Sequence, residues 1–170
     1  DEVDIINVSW GFEACEIFEC SLCKKVNAVA NAGIAIVAAS GDTQRYKHFF
    51  EPAQARHCYA VSATDKSNNL WSHNPIGPAR NGVDKPDVVA PGIDIVSTST
   101  DGGTKTYSGS SFAAPHVAGA IAIARAKRLR TPGDQQSIKK ALQSSAAIIT
   151  GDALKEGAGL LDAEGMYSQF

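Results

Sequence analysis

The chain has 170 residues, of which 44% are hydrophobic and 20% are charged, and its formal net charge at pH 7 is −2. This length suits one domain with an apolar core, and the charge gives no electrostatic basis for binding nucleic acid or a membrane surface. No apolar run approaches the about 18 residues that a membrane-spanning helix needs.

The first predicted elements form a strand–helix–strand unit. Residues 3–11 are a short apolar run that ends in glycine, which predicts a strand. Residues 15–33 carry apolar side chains at near-helical spacing and end in Asn-Ala-Gly, which predicts a helix and its stop. Residues 34–42 are a second continuous apolar run. Such a unit, with uniformly apolar strands, is typical of a parallel sheet that is covered on both faces.

Three cysteines fall within or beside the predicted helix, at positions 15, 20 and 23, and Cys58 stands alone. Cys20 and Cys23 have the C-x-x-C spacing of zinc sites, but the sequence has neither a second such pair nor histidines at zinc-binding spacing. We interpret the thiols as small apolar helix side chains and assign no metal, with zinc as the alternative. The sequence does not decide whether any of the four cysteines form disulfides.

The middle of the chain predicts two more strands and a buried helix. Residues 57–65 and 87–98 are apolar runs, and the loops between them are rich in Asn, Gly and Pro. Residues 112–128 are apolar almost all round in their first half, which predicts a helix inside the core.

Two further helices are predicted at the end of the chain. Thr131-Pro132 resembles a helix N-cap followed by proline, so a helix is expected from there to about residue 145. Residues 157–167 predict a glycine turn and a short final helix. The fold class is therefore α/β, with a mostly parallel sheet between helices. Because the first strand begins almost at residue 1, we expect the chain to be the later part of a larger domain.

Ser111 is the candidate nucleophile. It follows a glycine-containing turn and opens the predicted buried helix. Reactive groups in open α/β sheets gather at the carboxyl ends of the strands, and a helix N-terminus stabilises developing negative charge. Acyl transfer needs such an environment beside its nucleophile. The alternative is that Ser111 merely caps the helix.

The segment "GSSFAAPHVAG" (109–119) resembles the serine-bearing signature of the subtilisin-like serine proteases, G-T-S-x-A-x-P-H-V-A-G, with Ser110 in place of the usual threonine. Other segments resemble the family in the same order along the chain. They are the substrate-binding strand "VDIINVSWG", the strand "GIAIVAASGD" that leads to the oxyanion-hole asparagine, the pre-serine segment "KPDVVAPG" and the closing stretch "GAGLLDAEGMY".

This resemblance implies a mostly parallel sheet with helices on both faces, and endopeptidase activity through an acyl-enzyme on Ser111. It also implies a substrate cleft whose backbone edges pair with an extended peptide or protein substrate. The residues that would line this cleft are Ser9, Trp10 and Gly11 on one side and Ala39, Ser40 and Gly41 on the other.

The catalytic aspartate and histidine motifs of the family, Asp-Thr/Ser-Gly and His-Gly-Thr, do not occur in this sequence. His116 lies on the helix of Ser111 but points about 140° away from it, so we interpret it as structural. His48, His57 and His73 lie in or beside loops. A serine needs a positioned base. We therefore expect both groups on the missing N-terminal part of the same domain, which would act as a partner and without which this chain is inactive.

Asp42 stands where the family usually has its oxyanion-hole asparagine. An asparagine amide donates a hydrogen bond to the oxyanion, whereas an ionised carboxylate only accepts. Loss of one such donor lowers the rate by roughly 10²–10³. Either Asp42 is held protonated, or the site is impaired, or the chemistry runs in acid. The alternative is that Asp42 has no catalytic role and is an ordinary loop aspartate in a turn.

Two other functions stay open. The chain could be a pseudoprotease or peptide-binding half-domain, or it could be similar to the sedolisins, acid serine-carboxyl peptidases that have an oxyanion aspartate. The segments "KPDVVAPG" and "PHVAG" favour the subtilisin-like reading. The family often binds calcium, but no segment here has an ordered set of oxygen ligands, so we assign no cofactor.

Overall fold

The computed structural model describes residues 3–13, 20–42, 48–128 and 135–170. The predicted N-cap at Thr131-Pro132 and the position of Cys15 lie outside the described residues. The elements, in chain order, are β1 (Ile5–Val8), α1 (Ser21–Asn31), β2 (Ala35–Ala39), β3 (Tyr59–Thr64), β4 (Val88–Pro91), β5 (Ile95–Thr98), β6 (Thr104–Tyr107), α2 (Ser110–Arg128), α3 (Gln135–Ser145), α4 (Ala153–Glu156) and α5 (Ala163–Ser168).

Four strands form a parallel sheet in the order β1-β2-β3-β4. Every residue of β2 and β3 is buried, as expected for inner strands of a parallel sheet covered on both faces. The free edge of β4 is covered because Val89 exchanges hydrogen bonds with the backbone of Gly159 and Leu161. The predicted α/β class with a parallel sheet is confirmed.

Successive side chains of β2 point to opposite faces of the sheet and enter two separate cores. Val37 packs in the core that contains α2, α3 and α5, whereas Ile36 and Ala38 pack in the core that contains α1. The helices therefore lie on both faces. Among the residues that the structure describes, no helix is both long and apolar enough to span a membrane.

The interpretation of residues 87–98 as one continuous strand is wrong, because these residues form two strands, β4 and β5, with a turn between them. The chain turns out of the sheet after β4, because the amides of Gly92 and Ile93 both donate to the carbonyl of Thr64. Asp94 then adopts a positive φ of 53°. β5 instead pairs antiparallel with β6 in a separate two-stranded sheet. β6 and α4 were not predicted from the sequence.

A buried ion cluster joins β3 to β4 at the end of the sheet opposite Ser111. The Asp87 carboxylate accepts from Lys85 Nζ at 2.6 Å, Lys139 Nζ at 2.8 Å and the amide of Ala60 at 2.8 Å. Burial acts to raise the pKa of Asp87, but the two ammonium groups outweigh it and hold the pKa below its ordinary value. Because the folded-state pKa is depressed, this stabilisation is complete above the unfolded-state pKa and is lost as the pH falls through the folded-state pKa.

We expect Asp87→Asn to lower the free energy of unfolding by about 3–5 kcal/mol at neutral pH, because the side chain of Lys85 stays fully buried without its counter-ion. Urea unfolding followed by circular dichroism measures the change. The matched control is Asp101→Asn, which breaks an exposed ion pair with Lys105 and should have no measurable effect. Equal losses of unfolding free energy in the two variants would show that Asp87 does not stabilise the fold as the buried counter-ion of Lys85.

Candidate active site

Ser111 is the second residue of α2, and a reciprocal pair of hydrogen bonds ties it to the residue that follows β1. Ser111 Oγ donates to the carbonyl of Ser9 at 2.9 Å, and Ser9 Oγ donates to the carbonyl of Ser111 at 2.6 Å. The helix begins one residue earlier, at Ser110. Ser111 Oγ therefore points across to the end of β1 instead of capping its own helix.

Pro115 leaves the carbonyl of Ser111, one of the two acceptors in this pair, without its usual donor in the helix. Residue 115 would normally donate its amide to the carbonyl of Ser111, four positions earlier, but proline has no N–H. Ser9 Oγ supplies the missing donor, and it is itself held by Asn7 Nδ2 at 2.8 Å. Because of this proline, the carbonyl of Ser111 is available to Ser9 Oγ, and this bond holds the start of α2 against the end of β1.

Asp42 lies directly beside the start of α2. Its Oδ1 accepts from the amide of Ser110 at 2.8 Å, and the amide of Gly41 donates to Ser110 Oγ at 3.2 Å. A carboxylate at a helix N-terminus is favoured by the helix dipole and satisfies an amide that lacks an intrahelical partner. Asp42 therefore caps α2 from another part of the chain, a role that the sequence analysis did not foresee.

The two predicted cleft segments lie side by side, because Val8 of β1 pairs with Ala38 of β2 and the segments follow directly. Ser40 is fully buried, its Oγ accepts from Ser62 Oγ at 2.9 Å, and its backbone amide and carbonyl bond to Val61 and Phe50, so the predicted peptide contact at Ser40 has no exposed group to form it. Trp10 is 60% exposed and stacks on Phe12 at 6.1 Å between ring centroids. This pair gives the first segment an apolar surface.

Gly11 and Ala39 complete the predicted set. A Cβ atom at Gly11 would lie 2.8 Å from the carbonyl oxygen of Glu51, so only glycine fits where this segment crosses the next loop. Ala39 is the buried last residue of β2. The structure therefore brings Ser111, Asp42 and both segments to the carboxyl end of the sheet.

No histidine ring hydrogen-bonds to Ser111 Oγ in the part of the chain that the structure describes. His116 Nδ1 lies 2.9 Å from the carbonyl of Phe112, one turn back on α2, consistent with a structural role. His73 stacks on Trp71. His57 precedes β3, and its pKa is lowered by its own partial burial and by the positive charges of nearby lysine and arginine side chains. His48 is exposed in the loop after Asp42.

Gly92 is a positioning residue that the sequence analysis did not single out. Its carbonyl accepts from the amide of Gly109 at 2.8 Å, which fixes the turn just before Ser111. A Cβ atom at Gly92 would lie 2.7 Å from the carbonyl oxygen of Gly109 and 2.8 Å from Ala63 Cβ. Its place in the segment "KPDVVAPG" was the available signal.

We expect Gly92→Ala to push this turn away from β4, lowering the free energy of unfolding by about 1–3 kcal/mol. In the complete polypeptide, the same displacement should slow reaction of Ser111 with an active-site serine reagent by more than about tenfold. Chemical unfolding and labelling rates measure the two effects. Gly119→Ala is the matched control, since a Cβ there meets nothing within 4 Å. A fully reactive Gly92→Ala variant would contradict this positioning role.

Comparison with known proteins gives one family. The model of the subtilase family matches residues 1–166. Thermophilic serine proteinase of Bacillus sp. (strain AK1) is 36% identical over 149 residues, which are 87% of this chain and 33% of that protein. Subtilisin Savinase of Lederbergia lenta is 34% identical over 139 residues, 82% of this chain and 48% of that protein. The chain thus spans about a third to a half of these relatives.

Solved structures show the same likeness in three dimensions. The prenylagaramide maturation protease PagA superposes with a TM-score of 0.82 at 29% identity, covering 98% of this chain and 62% of that one. The patellamide maturation protease PatA gives a TM-score of 0.80 at 29% identity, covering 97% and 62%. Both likenesses extend over nearly all of the present chain.

Proposed function

The chain belongs to the subtilase family, and on this premise we propose that it carries the nucleophile, Ser111, of a subtilisin-like serine endopeptidase. The observation that carries the proposal is the position of Ser111 Oγ. It lies at the N-terminus of α2, tied to the end of β1 and next to the end of β2. Both predicted cleft segments thus flank the hydroxyl that would attack the substrate.

In the proposed reaction, Ser111 Oγ attacks the carbonyl carbon of an extended peptide. Its proton passes to a base, and the tetrahedral intermediate expels the amine to leave an acyl-enzyme that water then hydrolyses. The carbonyl of Ser9, which now accepts from Ser111 Oγ, cannot take that proton. The hydroxyl must therefore turn from Ser9 to the base before it reacts.

We place the catalytic aspartate and histidine outside these 170 residues. The contacts of His116 and His73, and the position of His57 before β3, support this assignment. The partner that supplies the two groups would be a further part of the same domain. The Trp10–Phe12 surface would favour apolar side chains of the substrate on that side of the cleft.

The position of Asp42 favours a second candidate, a peptide-binding protein that does not hydrolyse its ligand. Its carboxylate accepts from the amide of Ser110, so a charge lies where an oxyanion would form beside Ser111. Repulsion between these charges would slow acylation while leaving the cleft able to bind an extended peptide.

The test is reaction of the polypeptide encoded by the gene with a fluorophosphonate, read by intact mass and peptide mapping. We expect a single label on Ser111, because an activated serine reacts and ordinary hydroxyls do not. Folded residues 1–170 alone should not be labelled. Label on the isolated chain would contradict an external base. No label on the whole polypeptide, with peptide binding retained, would favour the second candidate.

A further inference from the structure

A second cluster of chemically reactive side chains lies on the α1 side of the sheet. The side chains of Cys20, Cys23 and Glu51 are all buried, and their ligand atoms lie within 4.8 Å of one another. Cys20 is the N-cap of α1, and its Sγ donates to Glu51 Oε2 at 2.7 Å. Glu51 comes from the loop between β2 and β3, so no local spacing in the sequence shows this contact.

Gln54 lies beside this cluster and has one unpartnered atom. Its Nε2 donates to Glu51 Oε1 at 3.1 Å, and the residue is only 3% exposed. The carbonyl oxygen of the same amide is buried and has no hydrogen-bond partner among the described groups. A buried acceptor without a partner is costly and rare in native proteins, and a bound cation is one way in which such an oxygen is satisfied.

We propose that Cys20, Cys23, Glu51 and Gln54 bind a zinc ion. Two thiolates and a carboxylate are ordinary zinc ligands, and the Gln54 carbonyl oxygen would supply the fourth position after its amide turns over, because Nε2 is the atom that now faces Glu51. With bonds of about 2.3 Å to sulfur and about 2.0 Å to oxygen, tetrahedral ligand atoms lie roughly 3.3–3.8 Å apart. The cluster, within 4.8 Å, needs shifts of about an ångström to reach this geometry.

The electrostatics of α1 support thiolate ligands. The amide of Cys23 points to Cys20 Sγ at 3.2 Å, and the helix N-terminus stabilises negative charge on sulfur. Binding would replace the proton between Cys20 and Glu51 by the metal. Zn²⁺ would displace one proton from each thiol, so two protons leave for each ion bound.

The zinc ion would stabilise both segments of the proposed cleft, residues 9–11 and 39–41. The backbone of Glu51 exchanges two hydrogen bonds with Phe12, which follows the first cleft segment. The neighbouring amide of Phe50 donates to the carbonyl of Ser40 in the second segment, at 2.9 Å. Fixing Glu51 to α1 would therefore hold both segments in place.

The test is titration of the fully reduced protein with Co²⁺, followed by displacement with Zn²⁺. We expect one Co²⁺ per chain, with the visible bands of a tetrahedral site and thiolate charge-transfer absorption. A pH indicator should report two protons released per ion. Zn²⁺ should raise the thermal midpoint. Cys23→Ser and Glu51→Gln should each weaken binding by more than about tenfold.

Cys58→Ser is the matched control, because it also removes a buried thiol. Burial raises the pKa of Cys58 to about 12, so this thiol keeps its proton and should not contribute to binding. Folded, reduced protein without cobalt absorption would overturn the proposal. Full absorption in both Cys23→Ser and Glu51→Gln would overturn it as well, since the ion would then lie elsewhere.

Discussion

Replacing Ser111 by Ala in the complete polypeptide should lower kcat for peptide hydrolysis by about 10⁶, the scale of loss when a triad nucleophile is removed. The physical reason is that no other hydroxyl among the described residues is placed to form the acyl-enzyme. Ser110 is the neighbouring hydroxyl, but it is fully buried and its Oγ accepts from the amide of Gly41. Initial rates and peptide Kd, measured on the same preparations, separate loss of chemistry from loss of binding.

Ser110→Ala is the matched control for this experiment. It deletes one hydroxyl at the adjacent position of α2 and breaks only the contact with Gly41. We expect most of the activity to remain, with unchanged labelling of Ser111. If Ser111→Ala kept activity while Ser110→Ala lost it, the nucleophile would be assigned to the wrong serine.

Asp42→Asn should raise kcat at neutral pH by about 10²-fold, since one oxyanion donor is worth roughly 10²–10³. The asparagine oxygen can keep the hydrogen bond from the amide of Ser110, now 2.8 Å long, while its NH₂ group faces the oxyanion. The gain should lie in kcat and leave KM little changed.

Asp42→Ala distinguishes removal of charge from addition of a donor. It removes the repulsion but also the cap on the amide of Ser110, so the start of α2 should be destabilised by about 1 kcal/mol. We expect its kcat to stay below that of Asp42→Asn. A fall in activity in Asp42→Asn would instead show that the carboxyl group takes part in the chemistry, as in the sedolisin-like alternative.

The sequence was most informative where one local pattern decides the structure. Continuous apolar runs placed β1, β2 and β3 within a few residues, because strands of a parallel sheet covered on both faces are mostly apolar, although β1 carries the exposed Asn7 and β3 the buried Ser62 and Thr64. The run at 87–98 misled for the same reason. Pattern alone does not show that the carbonyl of Thr64 captures two amides and turns the chain out of the sheet.

The α/β class, the family signature around Ser111 and the unusual aspartate at position 42 can all be read from the sequence. The contacts that these residues make depend on the tertiary fold. It paired Ser111 with Ser9, turned Asp42 into a cap for α2, and brought Glu51 to the two cysteines of α1. Each of these contacts joins residues far apart in the chain. Spacing along one segment reports the faces of that segment, whereas contacts between segments depend on how the sheet and its helices pack.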